Sequence, residues 1–451
     1  MEARIDLLKG NILKALIGLS IPIMATSLLQ MMYNMTDMIW IGRVGSGSVA
    51  AVGAAGMFVN LSTGLSAFLR VGSQVNVAQS YGANDRYKAA SFARHALQMG
   101  CILAFVYGLI LCVGKTACID FFNLGNPIVV QEAQTYLLVM GMFIFFPIIN
   151  PICTAAITAT GNSKTPFKVN TIGLLINLVL DPIFIFSLHM GVLGAAVATV
   201  LAQVVVFILY VNYMRKDEQV FSHVKLFHKM ETEFVRPIVK IGMPATIQGV
   251  MFNCISMSIG RIIAYWGETA IAVQKVGIQI ESISYMAADG FAAATNSFIA
   301  QNYGAHQMDR AKKGYMTALL VMMTWGVITT GVLVFLPEYI FRIFIQEVDV
   351  IPLGVDYLRI VGYSQLFMCI EILTAGAFSA YGKTMPPSIV SIVFTSLRIP
   401  GAILLGQSAL GLNGVWWSIS LSSVFKGIIL VTLFALFMKK HANTFDNAKF
   451  E

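Results

Sequence analysis

Residues 165–187, TPFKVNTIGLLINLVLDPIFIFS, form an apolar segment about long enough to cross a bilayer, which takes roughly 20 residues at 1.5 Å rise each. The segment nevertheless carries an acid, Asp181, at a depth where an ionised group is costly. Asn177 lies one helical turn earlier on the same face. Pro182 follows at once and removes a backbone donor, so the helix is expected to kink or loosen beside the carboxylate. A buried acid, an amide one turn away and a broken helix are the materials of an ion or proton site inside a membrane.

The rest of the 451 residues fit that setting. Hydrophobic residues make up 57% and charged residues only 12%, against about 25% charged in a soluble domain. The mean hydropathy of +0.75 and the absence of any long polar region define an all-α, polytopic integral membrane protein with no separate soluble domain. The net charge of +8 comes from basic residues scattered in short loops, which excludes a nucleic-acid interface and leaves a topology signal. The six cysteines, Cys101, Cys112, Cys118, Cys153, Cys254 and Cys369, fall mostly in apolar segments without a C-x-x-C pair and read as packing residues. No signal-peptide pattern precedes the first apolar segment, which is expected to remain as a membrane anchor.

Twelve apolar windows are expected to span the membrane: 13–41, 48–80, 90–114, 130–156, 166–187, 191–214, 236–265, 270–302, 314–336, 352–380, 387–407 and 411–438. Basic residues flank alternate connections (Arg4, Lys9 and Lys14; Arg86, Lys88 and Arg94; Lys164 and Lys168; Arg310, Lys312 and Lys313; Lys439 and Lys440), which predicts that both termini are cytoplasmic. The polar stretch 215–235 joins an N-terminal lobe, 1–214, to a C-terminal lobe, 236–451. Those halves repeat. Gln79-Ser-Tyr81-Gly82-Ala83 recurs as Gln301-Asn-Tyr303-Gly304-Ala305, Ala159-Thr-Gly161 as Ala380-Tyr-Gly382, and Gly191-Val-Leu-Gly194 as Gly411-Leu-Asn-Gly414. Offsets of 222, 221 and 220 hold one register, so each half carries six helices. An even number gives both bundles the same orientation, related by a pseudo-two-fold along the membrane normal, and such a pair suits a rocking transporter.

The first window adds Pro22, Gln30, Tyr33, Asn34 and Asp37. Counted at 1.5 Å per residue from the outer boundary, Asp37 lies about 6 Å deep, Asp181 about 9 Å, Thr199 about 12 Å and Asn177 about 15 Å. Polar groups of three helices thus reach one level, where two acids in a partly dry pocket can exchange a proton or hold Na⁺. The second half breaks the symmetry: Ile259 stands opposite Asp37, and Arg398-Ile-Pro400 opposite Asp181. Its charged residues, Glu281, Asp289, Glu371, Arg398 and Lys426, read chiefly as internal ion pairs, with Glu281 and Glu371 the candidate contacts for a cationic substrate. Gly108 to Thr116 has five residues between its glycines where a P-loop needs four, and no cofactor is expected.

At these residues the sequence resembles the multidrug and toxic compound extrusion (MATE) family over essentially its whole length. The features that carry it are Pro22 and Asp37 in the first helix, the paired Ala-Gln-x-Tyr-Gly-Ala element, Asn177-x₃-Asp181-Pro182 and Leu-Arg398-Ile-Pro400. The resemblance implies a non-enzymatic antiporter of the cell inner membrane that expels organic, often cationic compounds against H⁺ or Na⁺. It implies a coupling site at Asp37, Asn177, Asp181 and Thr199, where Na⁺ would be held, with Ala195 adding a backbone carbonyl and Pro22 as the hinge of helix one. Tyr33, Asn34 and Met31 are further candidate substrate contacts, and the expected partners are small organic molecules and membrane lipids, with the protein a monomer. The residues 249–267 carry Arg261 and no carboxylate, which departs from the branch with an acid on helix seven. A lipid-linked oligosaccharide flippase of the same wider superfamily is the alternative, for which Arg70, Arg261, Arg398 and Lys426 would matter.

Overall fold

A computed structural model describes residues 4–122, 124–223, 228–345, 347 and 349–447. Residues 224–227 of the expected linker, and positions 1–3, 123, 346, 348 and 448–451 of the expected lobes, lie outside the described residues. Among the described residues every regular element is helical. The first half comprises α1 (Ile12–Val44), α2 (Ser46–Gly82), α3 (Arg86–Asp120), α4 (Pro127–Met142), α5 (Phe145–Ala159), α6 (Lys164–Pro182) and α7 (Gly191–Lys216). The second comprises α8 (Thr232–Ile263), α9 (Glu268–Gly304), α10 (Met308–Phe335), α11 (Pro337–Phe344), α12 (Ile351–Gly362), α13 (Gln365–Ala380), α14 (Met385–Ser396), α15 (Arg398–Gly406) and α16 (Leu412–Asn447).

Each of the twelve expected windows falls on a helix or a bent pair. Nine spans among the described residues are long and apolar enough to cross a membrane, and two further pairs, α4 with α5 and α12 with α13, qualify together across bends of 47° and 45°. The remaining window is α9, whose 37 residues include Gln274, Lys275, Glu281 and Asp289 and so are less uniformly apolar. Outward-facing Phe105 and Val113 on α3 are 74% and 78% exposed, as expected where lipid and not water covers the surface. The buried face of α2 is built largely from Ala, Ser and Gly, which lets helices approach closely. The P-loop-like stretch, Gly108 to Thr116, is helical and lies within α3. All six cysteines are free thiols.

The backbone repeats with the sequence. Positive φ angles recur at Asn84 and His306 (60° and 57°), Gly161 and Gly382 (85° and 70°), and Gly191 and Gly411 (55° and 54°). Those pairs keep the 222, 221 and 220 offsets, so the two halves share turn geometry even where their side chains differ.

By contact, the chain clusters into two compact units. The first holds Met1–Asp6, Ala25–Thr246 and Gly304–His306; the second holds Leu7–Met24, Ile247–Tyr303 and Gln307–Glu451. The division cuts α1 after Met24 and α8 after Thr246, two residues beyond Pro22 and Pro244, at positions 222 apart. In the first unit the linker is pinned at both ends. Arg4 pairs with Asp217 at 2.7 Å, and Arg94 on α3 pairs with Glu231 at 3.0 Å. His95 Nε2 accepts the Glu231 N–H at 2.9 Å.

Candidate functional site

Three stripes of side chains build the site in the first unit. On α1, Thr26, Gln30, Tyr33 and Asp37 step by three or four residues and share a face. On α6, Asn170, Gly173, Asn177 and Asp181 do the same, as do Thr199, Gln203, Val206, Tyr210 and Tyr213 on α7. Gly173 has no room for a side chain against Val206, so α6 and α7 pack closely along these stripes.

The helix loosens where the sequence puts Pro182. Helix α6 ends there and continues as a π-helical turn, Ile183–Ser187, in which Leu188 N–H reaches Ile183 O at 2.9 Å. The turn is held from outside by Gly194 near the start of α7, where a Cβ would lie 2.7 Å from the Phe184 carbonyl. A Gly194→Ala variant is therefore expected to push the π turn off α7 and to lower thermal stability by about 1–3 kcal/mol; circular dichroism melts in detergent would measure it, and an unchanged melt would mean that the turn yields freely.

Asp181 and Asn177 are each 1% exposed and Thr199 is 9% exposed, whereas Asp37 is half-buried. Asn177 Nδ2 donates to Asp181 Oδ1 at 3.2 Å. The Asp37 carboxyl is close enough to Asp181 to share a hydrogen bond. Tyr33 faces Thr199 and both carboxyls, and Tyr136 on α4 also lies near the two carboxyls. Asp37 Oδ1, Asp181 Oδ2, Asn177 Oδ1 and Tyr33 Oη are buried without a hydrogen-bonding partner. Three acceptors and a hydroxyl left unsatisfied at one spot form an oxygen-only set suited to a proton or a hard cation. Two carboxylates this close repel each other unless such a charge lies between them.

The structure thus brings together Asp37, Asn177, Asp181, Thr199 and Tyr33 from the sequence-derived set. Ala195 is buried one turn above Thr199, in an unbroken stretch of α7. Met31 lies off the polar stripe of α1, and Asn34, four residues after Gln30 and three before Asp37, borders it and is exposed, its Oδ1 accepting from Gln30 at 3.4 Å. Pro22 is half-buried within α1. Glu281 and Glu371 belong to the second unit. There Tyr357 donates to Glu281, and Glu371 is closed by Lys426 at 2.9 Å. Arg398 is held by Ser422 and Ser423 at 2.8 and 3.1 Å.

Sequence reasoning passed over Tyr136, Asn150, Asn170 and Gln203. Each is an uncharged polar residue in a largely apolar helix, and only its helical spacing from a neighbour on the same stripe could have singled it out.

Comparison with known proteins gives a consistent family. The MatE family model matches residues 22–183 and 244–404, two ranges that begin at the paired prolines. The probable multidrug resistance protein NorM of Thermotoga maritima is 25% identical over 437 residues, covering 94% of this chain and 92% of the relative. The multidrug export protein MepA of Staphylococcus aureus is 24% identical over 422 residues, 91% of each chain. An outward-facing structure of a multidrug resistance MATE family transporter of the MOP superfamily superposes with a TM-score of 0.86 at 24% identity, over 98% of this chain and 99% of that one.

Proposed function

This chain belongs to the MatE family, and we propose that it is a secondary active exporter of organic, often cationic and amphipathic compounds, exchanged for H⁺ or Na⁺ by alternating access. The observation that carries the reading is the convergence of Asp37, Asp181, Asn177 and Thr199 in the first unit, with oxygens left unpaired between them. A cation entering from outside would quench the repulsion of the two carboxylates, and Asp37 would pass that change to α1. Pro22, in the same helix as Asp37, interrupts the hydrogen-bond ladder of α1 and gives it a place to bend. The protein would act as a monomer in the cell inner membrane, with both termini and the linker cytoplasmic. The flippase alternative is disfavoured by the second unit, because Arg398 and Lys426 are spent on serines and Glu371 and would have to leave them to meet a pyrophosphate.

Purified protein in vesicles, given either a pH gradient or a Na⁺ gradient, tests this. One gradient alone is expected to drive uphill export of an organic cation such as ethidium. Export that ignores both gradients would remove the antiport reading, and a carrier that moves only lipid-linked sugars would remove the multidrug one.

A further inference from the structure

Of the two acids in the second unit that are candidates for meeting a cationic substrate, Glu371 is closed by Lys426 at 2.9 Å. Glu281 is not closed in this way. It lies half-buried on α9, and its Oε1 accepts from the Tyr357 hydroxyl on α12. The Arg398 guanidinium faces it, yet gives its Nε and Nη2 to Ser422 and Ser423, and no ion pair joins Arg398 to Glu281 among the described residues. Tyr357 is fixed in its place: Gly277, one turn before Glu281, has no room for a side chain against the ring, and Trp416 packs on it edge to face at 5.1 Å. Gln365, the first residue of α13 beyond the 45° bend, approaches the same carboxyl. Gln365 is 0% exposed, and neither its amide oxygen nor its amide nitrogen has a hydrogen-bonding partner. A buried amide open at both ends is costly, and this one stands beside a carboxylate on which a single phenol fills one of about four lone-pair positions.

We propose that Glu281 and Gln365 form the headgroup subsite for the exported cation, with Tyr357 as the positioning residue of the carboxylate, and that this subsite selects protonated amines over quaternary ammonium compounds. This deepens the export reading and rests on it. The open positions are oxygens, on the Glu281 carboxylate and the Gln365 carbonyl, and oxygens need an N–H. A protonated amine supplies one with its charge, and such a charge-assisted bond is roughly twice as strong as a neutral one. A quaternary nitrogen carries its charge behind a layer of carbon, offers no donor and leaves the Gln365 amide as unsatisfied as before. What a quaternary ion uses instead is an open aromatic face. Neither ring beside Glu281 provides one, since Tyr357 is 2% exposed and Trp416 0%. Tyr357 holds the carboxylate in one orientation, and Gln365 turns its amide to the arriving N–H. The ligand is taken and released at one place within one unit, which suits alternating access because nothing runs through the protein.

The experiment compares two ligands on the purified protein: an N-benzyl-N-methylalkylamine, protonated at neutral pH, and the quaternary N-benzyl-N,N-dimethylalkylammonium of the same chain length. The second puts a methyl where the first has its N–H. Isothermal titration in detergent is expected to give the wild type a roughly tenfold preference for the amine, equivalent to about 1.4 kcal/mol. Glu281→Gln should bring that ratio close to one, mostly through loss of amine affinity. Gln365→Met and Tyr357→Phe keep the shape and should each lower the ratio to about threefold while the quaternary ligand binds as before. The ratio is the decisive reading, because a merely structural residue would weaken both ligands alike. An equal loss of both ligands in Glu281→Gln, or an unchanged ratio, would therefore overturn the subsite. A wild type that exports both compounds under a gradient yet binds them equally would overturn it too and leave the antiport reading standing. A wild type that neither binds nor exports either compound would remove both.

Discussion

Asp181→Asn is expected to reduce uphill export to the level of empty vesicles. The amide has nearly the shape of the acid, can still accept from Asn177, and removes only the ability to take up and release a cation. The side chain then mimics a permanently loaded site: it binds but never discharges, so a gradient can no longer be converted into transport. Asp37→Asn should do the same, although Asp37 is half-buried and Asp181 only 1% exposed, so the larger loss is expected at Asp181. The double variant should be no worse than Asp181→Asn alone, because groups that act as one unit are not additive. Stability should hold or rise in all three, since each relieves the repulsion of two buried like charges. Measuring export and melting temperature on the same preparations separates the two effects. Wild-type pumping by either single variant would show that the pair does not couple.

The two acids of the candidate site were legible because a charge in an apolar helix is costly and has few explanations. Asp181, Asn177 and Asp37 stood out for that reason, and a depth count sufficed to bring Thr199 to the same level. The repeat was legible for a different reason: tight turns need particular backbone shapes, and Gly161, Gly191, Gly382 and Gly411 recur where φ is positive. The bends between α4 and α5 and between α12 and α13 were not read from the apolar windows. The first carries a signal, Pro147, which has no N–H to give the carbonyl of Phe143 four residues earlier, whereas no proline marks the second, at Tyr363-Ser364. The chain turns there through short-range bonds, Ile144 N–H to Gly141 O and Ser364 N–H to Val361 O, beside Gly141 and Gly362, which allow a neighbouring helix to come close. The partners of the second-unit charges were only partly legible. Counting acids and bases implies internal pairs, but that Lys426 chooses Glu371, while serines take Arg398, depends on packing across helices far apart in sequence.

That pair gives the second large effect, of the opposite kind. Lys426→Met is expected to destabilise the protein by about 3–5 kcal/mol, because it leaves Glu371 buried without its ammonium. Both side chains are nearly inaccessible, 5% and 10% exposed, so water cannot take over the lost contact. Arg398 faces Glu371 as well, but its guanidinium is already committed to Ser422 and Ser423 and can compensate only in part. Glu371→Gln should be damaging for the mirror reason, an unpaired ammonium in a low-dielectric interior. The double variant, Glu371→Gln with Lys426→Met, removes both charges at once and is expected to recover most of the loss. Thermal unfolding in detergent provides the measure, and a Lys426→Met protein as stable as the wild type would show that the ion pair does not hold the second unit together. The contrast with Asp181→Asn is the physical point: removing a charge from a like pair that must load and discharge costs transport and spares the fold, whereas removing one from a satisfied opposite pair costs the fold first. Asp37 and Asp181 face each other with no cation paired to them among the described residues, whereas Glu371 is tied to Lys426; that difference in charge balance is why coupling is proposed for the first unit.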